Sequence, residues 1–168
     1  MAEALRPNRG GFLRVIGCGQ FVREFLAGRG PLGSPSLDPE IGAPQSDIFR
    51  SYKLALMRAT AVDRSTRAEE KTARRENRRI DPDNIDRLTQ KYLDHLSYKG
   101  QGCRFHSFII YFSTLQRLGW VEATGREEPS AFQEHHPPGP PRRYYRLTDA
   151  GRAADDTAWR NPHRALYG

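Results

Sequence analysis

Residues 137–152 read PPGPPRRYYRLTDAGR, and the break inside this stretch decides the fold. Its first half is a proline-rich limb ending in Arg142 and Arg143. From Tyr144 to Leu147 the residues alternate with the two-residue period of a half-buried strand. Tyr145 and Leu147 then face inward, and Tyr144 and Arg146 outward. Thr148 opens a small-residue run suited to a short helix with Thr148 as its N-cap. A strand of this kind needs a partner, and WVEA at 120–123, immediately after Gly119, supplies an antiparallel one.

Working outward, CRFHSFIIYFSTLQRLG at 103–119 has helical spacing, with Phe105, Phe108, Ile109, Phe112 and Leu115 on one side. Ahead of it a helix starts at Asp81 as N-cap with Pro82 in the first turn, where the missing N–H costs nothing. Ile85, Leu88, Tyr92 and Leu96 form its apolar face, and Gly100 and Gly102 make the turn that follows. A twenty-residue connection, 124–143, separates the two strands. That length is unusual inside a compact domain unless the loop is functional.

Helix, turn, helix, strand, long loop, strand and short helix is the order of a winged helix-turn-helix. The fold class expected is therefore α+β, mainly α with a small β-hairpin, carrying a long N-terminal helical and basic extension. Four segments follow: a hook and linker at 1–46, an amphipathic then basic helix or arm at 47–80, the winged helix at 81–160 and a tail at 161–168. In 47–80, Ile48, Phe49, Tyr52, Ala55, Leu56 and Ala59 share a face, and the apolar stripe stops after Val62. The helix is expected to continue towards residue 80 with no core beneath it. Within 1–46, Phe12–Ile16, Gly17, Gly19 and the run Phe21, Val22, Phe25, Leu26 imitate a dinucleotide-binding turn. Val22 stands where the third glycine belongs, so a packing hook is the better reading.

Two stretches carry a family resemblance. SFIIYFSTLQRLGWVE at 107–122 looks like the recognition helix and first wing strand of PadR-like transcriptional regulators, and PPRRYYRLTDAGR at 140–152 is similar to their second wing strand and closing helix. The resemblance implies DNA binding and transcription regulation. It departs at the C-terminus, where GRAADDTAWR is interrupted by Asn161 and Pro162 in place of a long dimerisation helix.

The chain of 168 residues has 37% hydrophobic and 28% charged residues and a net charge of +7. Segment 47–80 holds ten basic and five acidic residues, so +5 of the excess lies there, the footprint of a polyanionic partner such as double-stranded DNA. No apolar run is long enough to cross a bilayer and no signal peptide is evident, so a cytoplasmic protein is expected. Cys18 and Cys103 form no paired motif, and Cys103, His106, His135 and His136 lack metal-site spacing. No metal, cofactor or catalytic group is expected.

In helix 103–118 Arg117 could fork onto guanine, Ser107 and Thr114 could bond base edges or phosphates, and Ile110 could meet a thymine methyl, flanked by Arg104, His106 and Tyr111. In the wing, 120–147, Arg126, Arg142 and Arg143 are candidates for the backbone or minor groove. In the basic segment, 64–79, Arg74, Arg75, Arg78 and Arg79 are candidates for phosphates. The alternative is a winged-helix interaction module or structural subunit of a nucleoprotein complex, docking protein partners through residues 1–62; a homodimer is a separate reading with no surface assigned to it.

Overall fold

The computed structural model describes residues 16–29, 32–33, 37–96, 104–130 and 139–168. In chain order the elements are α1 (Cys18–Ala27), β1 (Ala43–Pro44), α2 (Gln45–Arg75), α3 (Pro82–His95), α4 (Phe105–Arg117), β2 (Val121–Glu128), β3 (Arg142–Leu147), α5 (Asp149–Ala153), α6 (Asp156–Arg160) and α7 (Pro162–Tyr167). The protein is mainly α with a small three-stranded antiparallel sheet of order β1-β3-β2. Among the described residues no helix is long and apolar enough to cross a membrane.

The chain divides into two compact units. One joins Gly17–Tyr52 to Arg104–Gly168; the described part of the other is 53–96. This differs from the sequence-based segments. Helix 82–95 groups with the second half of α2, and α1 groups with the C-terminal half of the chain.

In the first unit the two strands pair antiparallel as expected, with Val121 opposite Leu147, Glu122 opposite Arg146 and Ala123 opposite Tyr145. Leu147 is buried, and the Tyr145 ring meets Phe112 edge-on at 5.0 Å. The strands run further than expected, to Glu128 and back from Arg142, so the connection shrinks to 129–141. Strand β1 adds Ala43 and Pro44 opposite Tyr145 and Tyr144, a pairing too short to leave a mark in the sequence.

Helix α4 ends as expected at Gly119, whose φ of 73° is open to glycine at little cost. The N–H groups of Gly119 and Trp120 return to the carbonyls of Gln116 and Leu115 at 2.9 and 3.0 Å, closing the helix C-terminus. Phe108, Phe112 and Leu115 are fully buried. Phe105 and Ile109 were expected beside them but are 43% and 40% exposed. Phe105 sits in the first turn, where its ring meets that of Phe49 at 5.1 Å.

Within 161–168, expected as a tail, Pro162 is fully buried and opens helix α7, and the residues just before it are part of the core. Trp159 is 1% exposed, its ring lies 4.7 Å from that of Trp120, and its indole N–H donates to the Gly151 carbonyl at 2.9 Å. Gly151 is itself required: a Cβ there would stand 2.2 Å from the Trp120 carbonyl oxygen. Thr148 caps α5 by accepting from the Gly151 N–H and donates to the Gly119 carbonyl. One threonine thereby ties the end of α4 to the start of α5.

In the second unit α2 stops at Arg75, not near residue 80. Asn77 takes the left-handed conformation with φ 52°, and the N–H groups of Asn77 and Arg78 bond back to Arg74 and Ala73 at 3.3 and 3.0 Å. This is a six-to-one helix closure with Asn in the position glycine usually fills. The second half of α2 also has something to bury, contrary to expectation: Ser65 and Glu69 are fully buried and Ala73 nearly so. Ser65 satisfies its hydroxyl on the Ala61 carbonyl at 2.7 Å. Asp81 and Pro82 begin α3 as expected, the carboxylate accepting from the Asp83 N–H.

Glu69 holds the bend. Its carboxylate pairs with Arg78 at 2.6 Å and accepts from the Asn84 amide at 2.8 Å. These hydrogen bonds lower its pKa below the usual carboxylate range. A group whose folded-state pKa is depressed contributes stability above its unfolded value of about 4.3, and loses that contribution as pH falls through the folded value. Glu69→Gln should therefore be less stable than wild type at neutral pH, with a gap in thermal midpoint that closes as the pH is taken from about 5 towards 2. A gap constant across that range would show that the charge on Glu69 does not hold the bend.

Candidate nucleic-acid interface

Helix α4 presents to solvent the strip expected of it. His106, Ser107 and Ile110 are exposed, and Ile110 is 58% exposed with no fold-derived reason for an apolar side chain there. Thr114 is half-buried, its hydroxyl turned back on the Ile110 carbonyl at 3.4 Å. Arg104 occupies the N-cap position and is exposed. Tyr111 leaves the strip: it is half-buried, its hydroxyl meets the backbone of Gly19, and burial, then the neighbouring Cys18, raises its pKa.

Arg117 is on the strip but not free. Its guanidinium donates to the Tyr167 hydroxyl at 2.6 Å and lies 5.5 Å from that ring's centre. The His163 ring stands 4.6 Å from the Tyr167 ring, so α7 extends the strip with an imidazole and a phenol. The signal for this was Asn161-Pro162. The pair reads as a stop to α6, but the Asn161 side chain accepts from the Arg164 N–H and Pro162 takes the first turn of a new helix.

The hairpin is less cationic than its arginines suggest. Along β3, Arg146, Arg143 and Arg142 stand opposite Glu122, Glu127 and Glu128 and pair with them at 3.1, 3.4 and 3.3 Å. Arg142 also pairs with Asp47 at 2.5 Å and is largely enclosed. It pins the hairpin to the start of α2, a structural task beside the phosphate contact expected of it. Arg143, 66% exposed, still faces solvent, and Arg126 lies over the Tyr144 ring at 4.9 Å. The Tyr144 hydroxyl donates to Glu128 at 2.7 Å.

In the basic segment Arg78 is withdrawn by its pairs with Glu69 and Glu76, which raise its pKa. It has the structural task the sequence did not reveal. Arg74, Arg75 and Arg79 remain exposed. The first two lie in the last turn of α2, where positive charge also complements the helix dipole.

Of the thiol and imidazole groups that lack metal-site spacing, Cys103, His135 and His136 lie outside the described residues. Compared with known proteins, the chain matches no family model, no curated protein and no solved structure.

Proposed function

We propose that the unit formed by 17–52 and 104–168 is a winged helix that binds double-stranded DNA in transcription regulation. Its chain order supports this: α1, β1, the start of α2, α4, then the β2–β3 hairpin, with β1 on the far side of β3. In this reading the start of α2 takes the role the sequence assigned to 82–95, and 53–103 is an insertion ahead of the recognition helix. The observation that carries the function is the outer face of α4, an exposed strip of His106, Ser107 and Ile110 leading to the Tyr167-held Arg117, on a helix, an element the major groove admits. Arg143 and the exposed Arg74, Arg75 and Arg79 supply backbone contacts.

The test is the salt dependence of binding to random-sequence duplex DNA. Each neutralised phosphate contributes about −0.9 to the slope of log affinity against log salt. Replacing Arg74, Arg75 and Arg79 by Gln should flatten that slope by up to about 2.7 while leaving stability unchanged. An unaltered slope removes the segment from the interface.

One observation favours a second reading, protein docking. Phe105, Ile109 and Ile110 are each 40% exposed or more on the same helix, and apolar clusters of this kind mark interaction surfaces. A chain that ignores duplex DNA at low salt but forms a stable protein complex would follow this reading.

A further inference from the structure

A cavity of about 680 Å³ opens among α1, the Pro39–Glu40 turn, the end of β3, α5 and α6, all within the first unit. Its volume lies in the range of small-molecule sites. The walls combine two kinds of surface. Ala27, Pro39, Leu147 and Trp159 give an apolar floor, and four arginines, Arg23, Arg29, Arg152 and Arg160, stand around it with three carboxylates, Glu24, Glu40 and Asp156.

The charges do not cancel locally. Asp156 is taken by Arg23, which also donates to the Ala154 carbonyl at 3.3 Å. Glu40 is shared by Arg146 and Arg152 at 3.4 and 3.8 Å. Glu24 accepts from the Leu32 N–H at 3.3 Å. Arg29 and Arg160 are left exposed at the rim with no carboxylate partner among the described residues.

We propose that this cavity binds a small organic anion, a carboxylate or phosphate monoester on a flat apolar body. The guanidinium forks of Arg29 and Arg160 would take the anionic head, as arginine is suited to do, and the body would rest against the half-buried Ala27 and Pro39. The enclosed apolar floor separates this site from a contact with nucleic-acid backbone, and the proposal needs no nucleic acid to hold.

The chain carries its own reporter, because Trp159, one of its two tryptophans, lines the cavity and lies in ring contact with the other, Trp120. The experiment is a titration of the full chain at constant ionic strength, read by tryptophan emission and thermal midpoint. Phenyl phosphate and benzoate are the probes and distinguish the two head groups; phenol and inorganic phosphate each carry one half of the chemistry. At least one aryl anion should saturate at a concentration tenfold or more below either control. Arg29→Gln and Arg160→Gln, both at exposed positions, should each weaken it tenfold or more, and Arg164→Gln, away from the cavity, should not. The proposal is overturned if neither aryl anion saturates, if inorganic phosphate binds as well as phenyl phosphate, or if the two cavity variants bind like wild type.

Discussion

Replacing Trp159 by alanine is expected to lower the stability of the first unit by about 3–5 kcal/mol, the range for losing a fully buried large aromatic. The side chain is 1% exposed and packs against the Trp120 ring at a tilt, so the substitution leaves a cavity at the joint of α1, α5 and α6. It also removes the donor to the Gly151 carbonyl, leaving a buried acceptor unsatisfied at a further cost of about 1–3 kcal/mol. In a unit of roughly this size the melting midpoint should fall by more than about 10 °C. Trp159→Phe keeps a ring on Trp120 and should recover most of the loss. If Trp159 did not belong to the core, Trp159→Ala would change stability by no more than about 0.5 kcal/mol, so a thermal melt of the two variants tests its placement.

The same region shows where sequence reading succeeds and where it stops. The hairpin was legible because its information is local: a two-residue period at Tyr144–Leu147, with Gly119 and Thr148 marking its ends, fixes the pairing and the facing, though not the register. The mainly α class with a small sheet followed from the same stretch. Helix α2 was half legible. Its first face is apolar, but further on the buried positions are Ser65 and Glu69, which a hydrophobic pattern counts as surface. Ser65 is silent because it satisfies itself on its own helix, and Glu69 because its partners come from the bend and from α3.

The placement of α1 depends on contacts with residues more than a hundred positions away, such as Arg23 with Asp156, and no local pattern encodes those. The candidate site divides in the same way. The outward strip of α4 was readable from helical spacing, and Ile110 stands out on it. The engagement of Arg117 by Tyr167, fifty positions away, and of Arg142 by Asp47 was not readable, because an arginine's availability depends on partners that only the fold brings near. Charge segregation over 47–80 was a sound guide to where cations collect. It could not show that Arg78 is consumed by the helix bend.

Ile110 is where the DNA-binding reading is most exposed to a decisive result. The residue is 58% exposed, so Ile110→Glu should leave the thermal midpoint within error of wild type. On the groove floor, however, it would replace an apolar contact with a carboxylate facing base edges and phosphates. A lost base contact is worth about 1–3 kcal/mol, roughly a 10- to 100-fold loss of affinity, and the added negative charge acts in the same direction. The measurement is a binding titration of wild type and Ile110→Glu against a duplex selected from a random library by the wild-type chain. The account predicts saturable wild-type binding and a loss of at least tenfold in the variant, with an unchanged melt. Equal affinity of the two proteins, or failure of the wild-type chain to enrich any duplex at low salt, would contradict it.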